Sequence, residues 1–160
     1  MNNQLILTFE DPKKISVFRK FLKTIGGISV TMPWVKSVAG INPLQKAYID
    51  RLDYLKENLK EGWNEPGDLP IEEKAYRNTK KALSVIPESM LKNWNLFPDT
   101  NGTLMLSPKG DRIGGISIGN QDFSYAAYVS DDKQISGREP FSEEAFLSAI
   151  GQIHRLFGYA

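Results

Sequence analysis

The sequence predicts an α+β fold, and three observations carry that prediction. From Asn42 to Ile86 apolar residues recur at spacings of three and four, as one face of a helix requires. From Thr103 to Arg138 they alternate, as a half-buried strand requires. The change of period falls at Phe97-Pro98-Asp99-Thr100-Asn101-Gly102, a run of turn residues. The expected architecture is an N-terminal β-α-β unit with its connecting loop over residues 1–41. Two central helices, an antiparallel four-stranded β-meander and a C-terminal helix packed on it follow over residues 42–160.

Within the first unit, Leu5-Ile6-Leu7-Thr8-Phe9 reads as a strand. Asp11-Pro12 supplies an N-cap and a Pro at the first helical position. Ile15, Phe18, Leu22 and Ile25 then mark one helical face, Gly26-Gly27 ends the helix, and Ile28 to Met32 is a second strand. Two strands and one helix bury too little to stand alone. The unit therefore packs on the rest of the chain, adds strands, or pairs with a second copy.

Asn42-Pro43 opens the first central helix by the same cap-plus-Pro logic, with Leu44, Tyr48, Leu52, Leu55 and Leu59 as its apolar stripe. The loop Gly62 to Ile71 carries glycines and prolines, but also Trp63, Leu69 and Ile71, so it is expected to fold back with Trp63 and Ile71 as anchors. Glu72 to Val85 is the second helix, with Ala75, Thr79, Ala82, Leu83 and Ile86 inward and Lys74, Arg77, Lys80 and Lys81 on a basic face. Pro87 stops it, and Glu88 to Trp94 holds a further turn. The four expected strands are Thr103–Leu106, Ile113–Ile118, Phe123–Val129 and an edge strand, Gln134–Arg138. Ser142 caps the last helix, whose inward residues are Ala145, Phe146, Ala149, Ile150, Ile153 and Phe157.

Composition narrows the function classes. Twenty Lys and Arg against nineteen Asp and Glu leave a net charge of +1, so no overall field draws the chain to nucleic acid or an anionic membrane. The chain has no Cys, which removes disulfides, thiolate metal sites and a Cys nucleophile. No apolar run approaches the roughly 18 residues that span a bilayer, and the start, Met1-Asn2-Asn3-Gln4, is not that of a signal peptide. The expected location is the cytoplasm.

His154 is the only His, and the sequence points to no acid or nucleophile beside it, so it is expected at the surface or near the helix end. Asp122, Asp131 and Asp132 lack calcium-loop spacing and read as hairpin residues. Gly114-Gly115 lies inside a strand with no helix after it, which suits a bulge or a close backbone approach and not a phosphate loop. No catalytic constellation, metal site or cofactor site is expected. The residues placed as contacts are the aromatics Trp63, Trp94, Phe97, Tyr125 and Tyr128. Lys74, Arg77, Lys80 and Lys81 are placed as phosphate contacts.

Two stretches resemble known families. Gly62-Trp63-Asn64-Glu65-Pro66-Gly67-Asp68-Leu69-Pro70-Ile71, the helix end Leu83-Ser84-Val85-Ile86-Pro87, and Phe97 to Gly102 before a strand resemble an uncharacterised bacterial domain. That domain has a Gly-Trp-Asp-Gly motif, and Asn64-Glu65 stands where it has Asp-Gly. Residues 4 to about 60, with Gly27-Ile28-Ser29-Val30-Thr31-Met32-Pro33 at their centre, are similar to the N-terminal module of small antitoxins from Bacteroidetes-type bacteria. The second resemblance implies a non-enzymatic protein that sequesters a partner, a toxin-like neighbour or itself, and represses its own promoter. The alternatives are a small-molecule or peptide-binding domain and, behind that, a nucleic-acid-binding protein.

Overall fold

The computed structural model describes residues 42–159; the β-α-β reading over residues 1–41 lies outside them. Among the described residues there are four helices and a sheet. In chain order they are α1 (Pro43–Asn58), α2 (Glu73–Val85), α3 (Glu88–Leu91), β1 (Trp94–Pro98), β2 (Leu104–Pro108), β3 (Ile113–Ile118), β4 (Asp122–Ser130), β5 (Lys133–Pro140) and α4 (Glu143–Phe157). No helix among them is long and apolar enough to cross a membrane.

The local signals act as the sequence implies. Asn42 caps α1 through a reciprocal box: its side chain accepts from the Gln45 N–H at 2.8 Å, and the Gln45 side chain accepts from the Asn42 N–H. Ser142 accepts from the Ala145 N–H at the start of α4, and Gly158 closes that helix in the left-handed region at φ 67°. Glu72 offers α2 no side-chain cap. Asn120, in the β3–β4 turn, supplies one from a distance by accepting from the Ala75 N–H at 3.0 Å. Asn78 donates back to the carbonyls of Gly119 and Asn120, so the start of α2 is tied to that turn.

The sheet is five-stranded and antiparallel throughout, in the order β1-β2-β3-β4-β5. This corrects the expected four strands. Trp94 to Pro98, read in part as turn, pairs with β2 from Trp94 opposite Pro108 to Pro98 opposite Leu104. Its outer edge is occupied as well: Arg51 Nε donates to the Leu96 carbonyl at 3.0 Å, and the Tyr48 hydroxyl donates to the Trp94 carbonyl. Those two bonds from α1 satisfy carbonyls that an edge strand otherwise leaves to solvent.

One sheet face carries the core. Trp94, Leu96, Leu104, Leu106, Ile116, Ile118, Phe123 and Ala127 are buried there against residues of α1, α2 and α4. Phe123 sits edge-on to Phe146 of α4, with ring centres 5.4 Å apart.

The Gly62–Ile71 loop is held, but not by its indole. Ile71 is the buried anchor, at 3% exposure. Asp68 is buried too and accepts from the Glu65 N–H at 2.9 Å. The loop's far end is stitched to the β1–β2 turn, where Leu69 N–H donates to Thr100 and Glu72 N–H to Gly102. Gly102 is needed there: φ is +82°, and a Cβ would stand 2.9 Å from the Pro70 carbonyl oxygen. Trp63 is only half-buried, its indole N–H donating to the Leu69 carbonyl within the loop at 3.2 Å, so its expected role as an interior anchor is corrected.

Candidate interaction face

The other sheet face carries no buried side chain. Strand alternation puts Asn95 and Phe97 of β1 there, then Met105 and Ser107 of β2, and Ile113, Gly115 and Ser117 of β3. The register aligns them in rows. Phe97, Met105, Ser117, Ser124 and Arg138 are successive cross-strand partners from β1 to β5. A second row runs Gly115, Ala126, Ser136, and a third Ile113, Tyr128, Gln134. The middle of the face is therefore small and flat. Apolar side chains stand at its margins: Phe97 is 41% exposed, Ile113 64% and Tyr128 39%. Its charged groups include Arg138 and Asp122, which pair with each other at 2.8 Å.

Beside Ile113 and Tyr128 lies a shallow depression of about 190 Å³, floored by Gly114, Ala126 and Ala127 and bounded by Ser136 on β5. Small-molecule sites enclose roughly 300–1,000 Å³. The depression suits one side chain of a partner and not an engulfed ligand.

Of the aromatics expected as contacts, Phe97 and Tyr128 lie on this face. Tyr125 lies on the other, half-buried under β5, with its hydroxyl donating to Glu139 at 3.3 Å. Burial and the Glu139 carboxylate both push that phenol above its ordinary pKa. Trp94 is wholly buried, so its expected role in surface stacking is corrected. Met105 and Ile113 were missed, although alternation places them. Trp63 is remote in sequence, in the α1–α2 loop.

The expected surface position of His154 is likewise corrected, although the residue does lie in the last turn of α4. It is buried at 6% exposure, stacked on Trp94 with ring centres 6.1 Å apart. Trp94 Nε1–H donates to its Nε2 at 2.9 Å. The accepting nitrogen must be unprotonated, so the ring is neutral with its proton on Nδ1. Tyr159 tilts against the imidazole at 4.8 Å, and Arg112 lies over Tyr159 at 5.0 Å. Burial pushes the His154 pKa below its ordinary value. The unfolded chain therefore takes up a proton first as pH falls. The stability His154 contributes is complete above about pH 6.5 and declines below it. Denaturation midpoints measured from about pH 7.5 down to about pH 5.5 are expected to fall, and a flat profile would contradict the neutral ring.

The basic face of α2 is partly neutralised. Arg77 pairs with Glu73 at 2.9 Å. Lys80 reaches Asp53 of α1 at 3.1 Å and the Tyr76 hydroxyl at 3.0 Å, and that hydroxyl donates to Asp53 at 2.7 Å. The Tyr76 and Asp53 contacts raise the Lys80 pKa; the Asp53 carboxyl is pulled up by burial but more strongly down by Tyr76 and Lys80, ending below its ordinary value. Lys80 is thus held as a cation joining α1 to α2. Lys74 and Lys81 remain exposed on that face. Among the described residues no group of three or more His, Asp or Glu is placed to hold a metal ion.

No family model matches the chain, and no curated protein or solved structure matches it.

Proposed function

We propose that this protein is a non-enzymatic protein-binding module whose partner lies on the open face of the sheet. The observation that supports the reading is the distribution of that face's side chains. Phe97, Ile113 and Tyr128 stand exposed around a flat centre of Gly115, Ser117, Ser124 and Ala126, while the opposite face holds the core. Exposed aromatic and aliphatic groups around a flat area are what a protein surface can cover and desolvate. The size of the depression favours a protein over a small molecule, and the pairing of Arg77 and Lys80 with carboxylates favours it over nucleic acid. The antitoxin-like role, sequestering a toxin-like neighbour with autoregulation of the promoter, is supported by the N-terminal resemblance.

The test is capture from the native host with cross-linking. Phe97→Ser combined with Tyr128→Ser is expected to weaken the captured complex at least tenfold, about 1.4 kcal/mol, while leaving the unfolding midpoint nearly unchanged. Lys74→Glu with Lys81→Glu is expected to leave it intact. Cross-links that map to the outer surface of α2, with full binding by the double serine variant, would refute the reading.

A further inference from the structure

The two outer strands of the sheet are treated differently. The outer edge of β1 is occupied by Tyr48 and Arg51 of α1. β5 pairs with β4 on one side, and no described strand pairs with its other side. The direction of its backbone groups follows from the bonds at its end. Phe141 N–H donates to the Gln121 carbonyl, toward β4. The Asp122 carbonyl, opposite Pro140, accepts from Gly119 on the β3 side, away from β5. By alternation Ile135, Gly137 and Glu139 direct their N–H and C=O toward β4, and Gln134, Ser136 and Arg138 direct theirs outward.

We infer that β5 pairs with β5 of a second copy of this chain, antiparallel, about a two-fold axis at Ser136. The sequence of the strand is self-complementary in that register. Ser136 opposes Ser136, and Gln134 opposes Arg138 on both sides, so each outward-directed group meets its counterpart in a ladder of about six hydrogen bonds. Lys133 opposes Glu139 at both ends, which places opposite charges on the core side of the sheet. Glu139 is half-buried there, and the Tyr125 hydroxyl is its one described hydrogen-bond partner. Neighbouring registers do less well. Centring on Gly137 sets Gln134 against Pro140, which has no N–H to give, and Ile135 against the Glu139 carboxylate. Centring on Ile135 sets Arg138 against Asp132, outside the strand. Charge on an edge strand opposes pairing when it meets its like; in this register Lys133 meets Glu139 at both ends, while Arg138 faces the neutral Gln134 and is paired within its own sheet with Asp122. The interface is isologous and closes on itself, giving a dimer with one continuous sheet and a doubled open face.

The full chain tests this. Sedimentation of the wild-type protein is expected to give a dimer. The chain has no Cys, so Ser136→Cys introduces a single thiol. Opposed residues of a bonded antiparallel pair lie about 5.5 Å apart at Cα, within the roughly 4.4–6.8 Å a disulfide spans. Mild oxidation should therefore convert Ser136→Cys to a covalent dimer, whereas Ser124→Cys, inside the sheet on β4, should stay uncoupled. Lys133→Glu is expected to weaken association at least tenfold, and adding Glu139→Lys to restore it, with circular dichroism confirming that each variant folds. A monomeric wild type overturns the inference. So does a dimer that is indifferent to Lys133→Glu and gives no Ser136→Cys disulfide, because it assembles through another surface.

Discussion

Replacing Trp94 with Ala should cost about 3–5 kcal/mol of folding stability, the range for truncating a buried Trp to Ala. Among the described residues Trp94 is the largest wholly buried side chain, and it joins three parts of the structure. It starts β1, its carbonyl accepts from Tyr48 of α1, and its indole donates to His154 of α4. Truncation removes the indole's contacts, leaves a cavity, and deprives a buried imidazole nitrogen of its donor. Trp94→Phe keeps an aromatic ring and removes only the donor and part of the volume, so it should fall between wild type and Trp94→Ala. Urea denaturation at about pH 7.5 measures both. A loss below about 1 kcal/mol for Trp94→Ala would mean that β1 is dispensable to the core, against its place in the register.

The same residue marks where the sequence was legible and where it was not. Local signals carried far. Asn42-Pro43 gave the start of α1, Ser142 the start of α4, and alternation in Ile113–Ile118 and Phe123–Val129 gave β3 and β4. Ala75, Thr79, Ala82 and Leu83 are all buried, as their spacing required. What failed was long-range. β1 is five residues long and runs into Pro98 and a true turn, so nothing local separates it from that turn. It is a strand because β2 pairs with it and because α1, over forty positions earlier, satisfies its outer carbonyls. His154 was expected near the surface because its partner lies sixty positions away. The tie between α1 and α2 through Asp53, Tyr76 and Lys80 was hidden for the same reason, although Tyr76 and Lys80 stand one helical turn apart. The open face was half legible: Phe97 and Tyr128 were picked for their aromaticity, but Trp94 and Tyr125 with them, because aromaticity does not say which face a strand residue takes until the register is known.

The paired glycines of β3 provide the sharpest test of that register, because they are neighbours in sequence and opposites in space. Gly114 faces the core side opposite Ala127, and Gly115 faces the open side opposite Ala126. A Cβ on Gly114 would stand 2.6 Å from the Ala126 carbonyl oxygen and 3.0 Å from the Ala127 Cα, both backbone atoms of the paired strand. No rotamer change relieves such a contact, so β4 must move and its ladder to β3 must distort. A Cβ on Gly115 meets the Leu106 carbonyl oxygen at 3.3 Å and the Met105 side chain at 3.7 Å, a shift of a few tenths of an ångström. Gly114→Ala is therefore expected to destabilise by about 1–3 kcal/mol, as overpacking does. Gly115→Ala should cost at least about 1 kcal/mol less, because the unfolded-chain entropy term is common to both substitutions and only the crowding differs. Gly114→Val should exceed both, since the branched side chain adds atoms where the first one already collides. Paired denaturation curves decide the matter. Equal losses at the two positions would mean that the β3–β4 register is wrong by one residue, which would exchange the core face with the face proposed for binding.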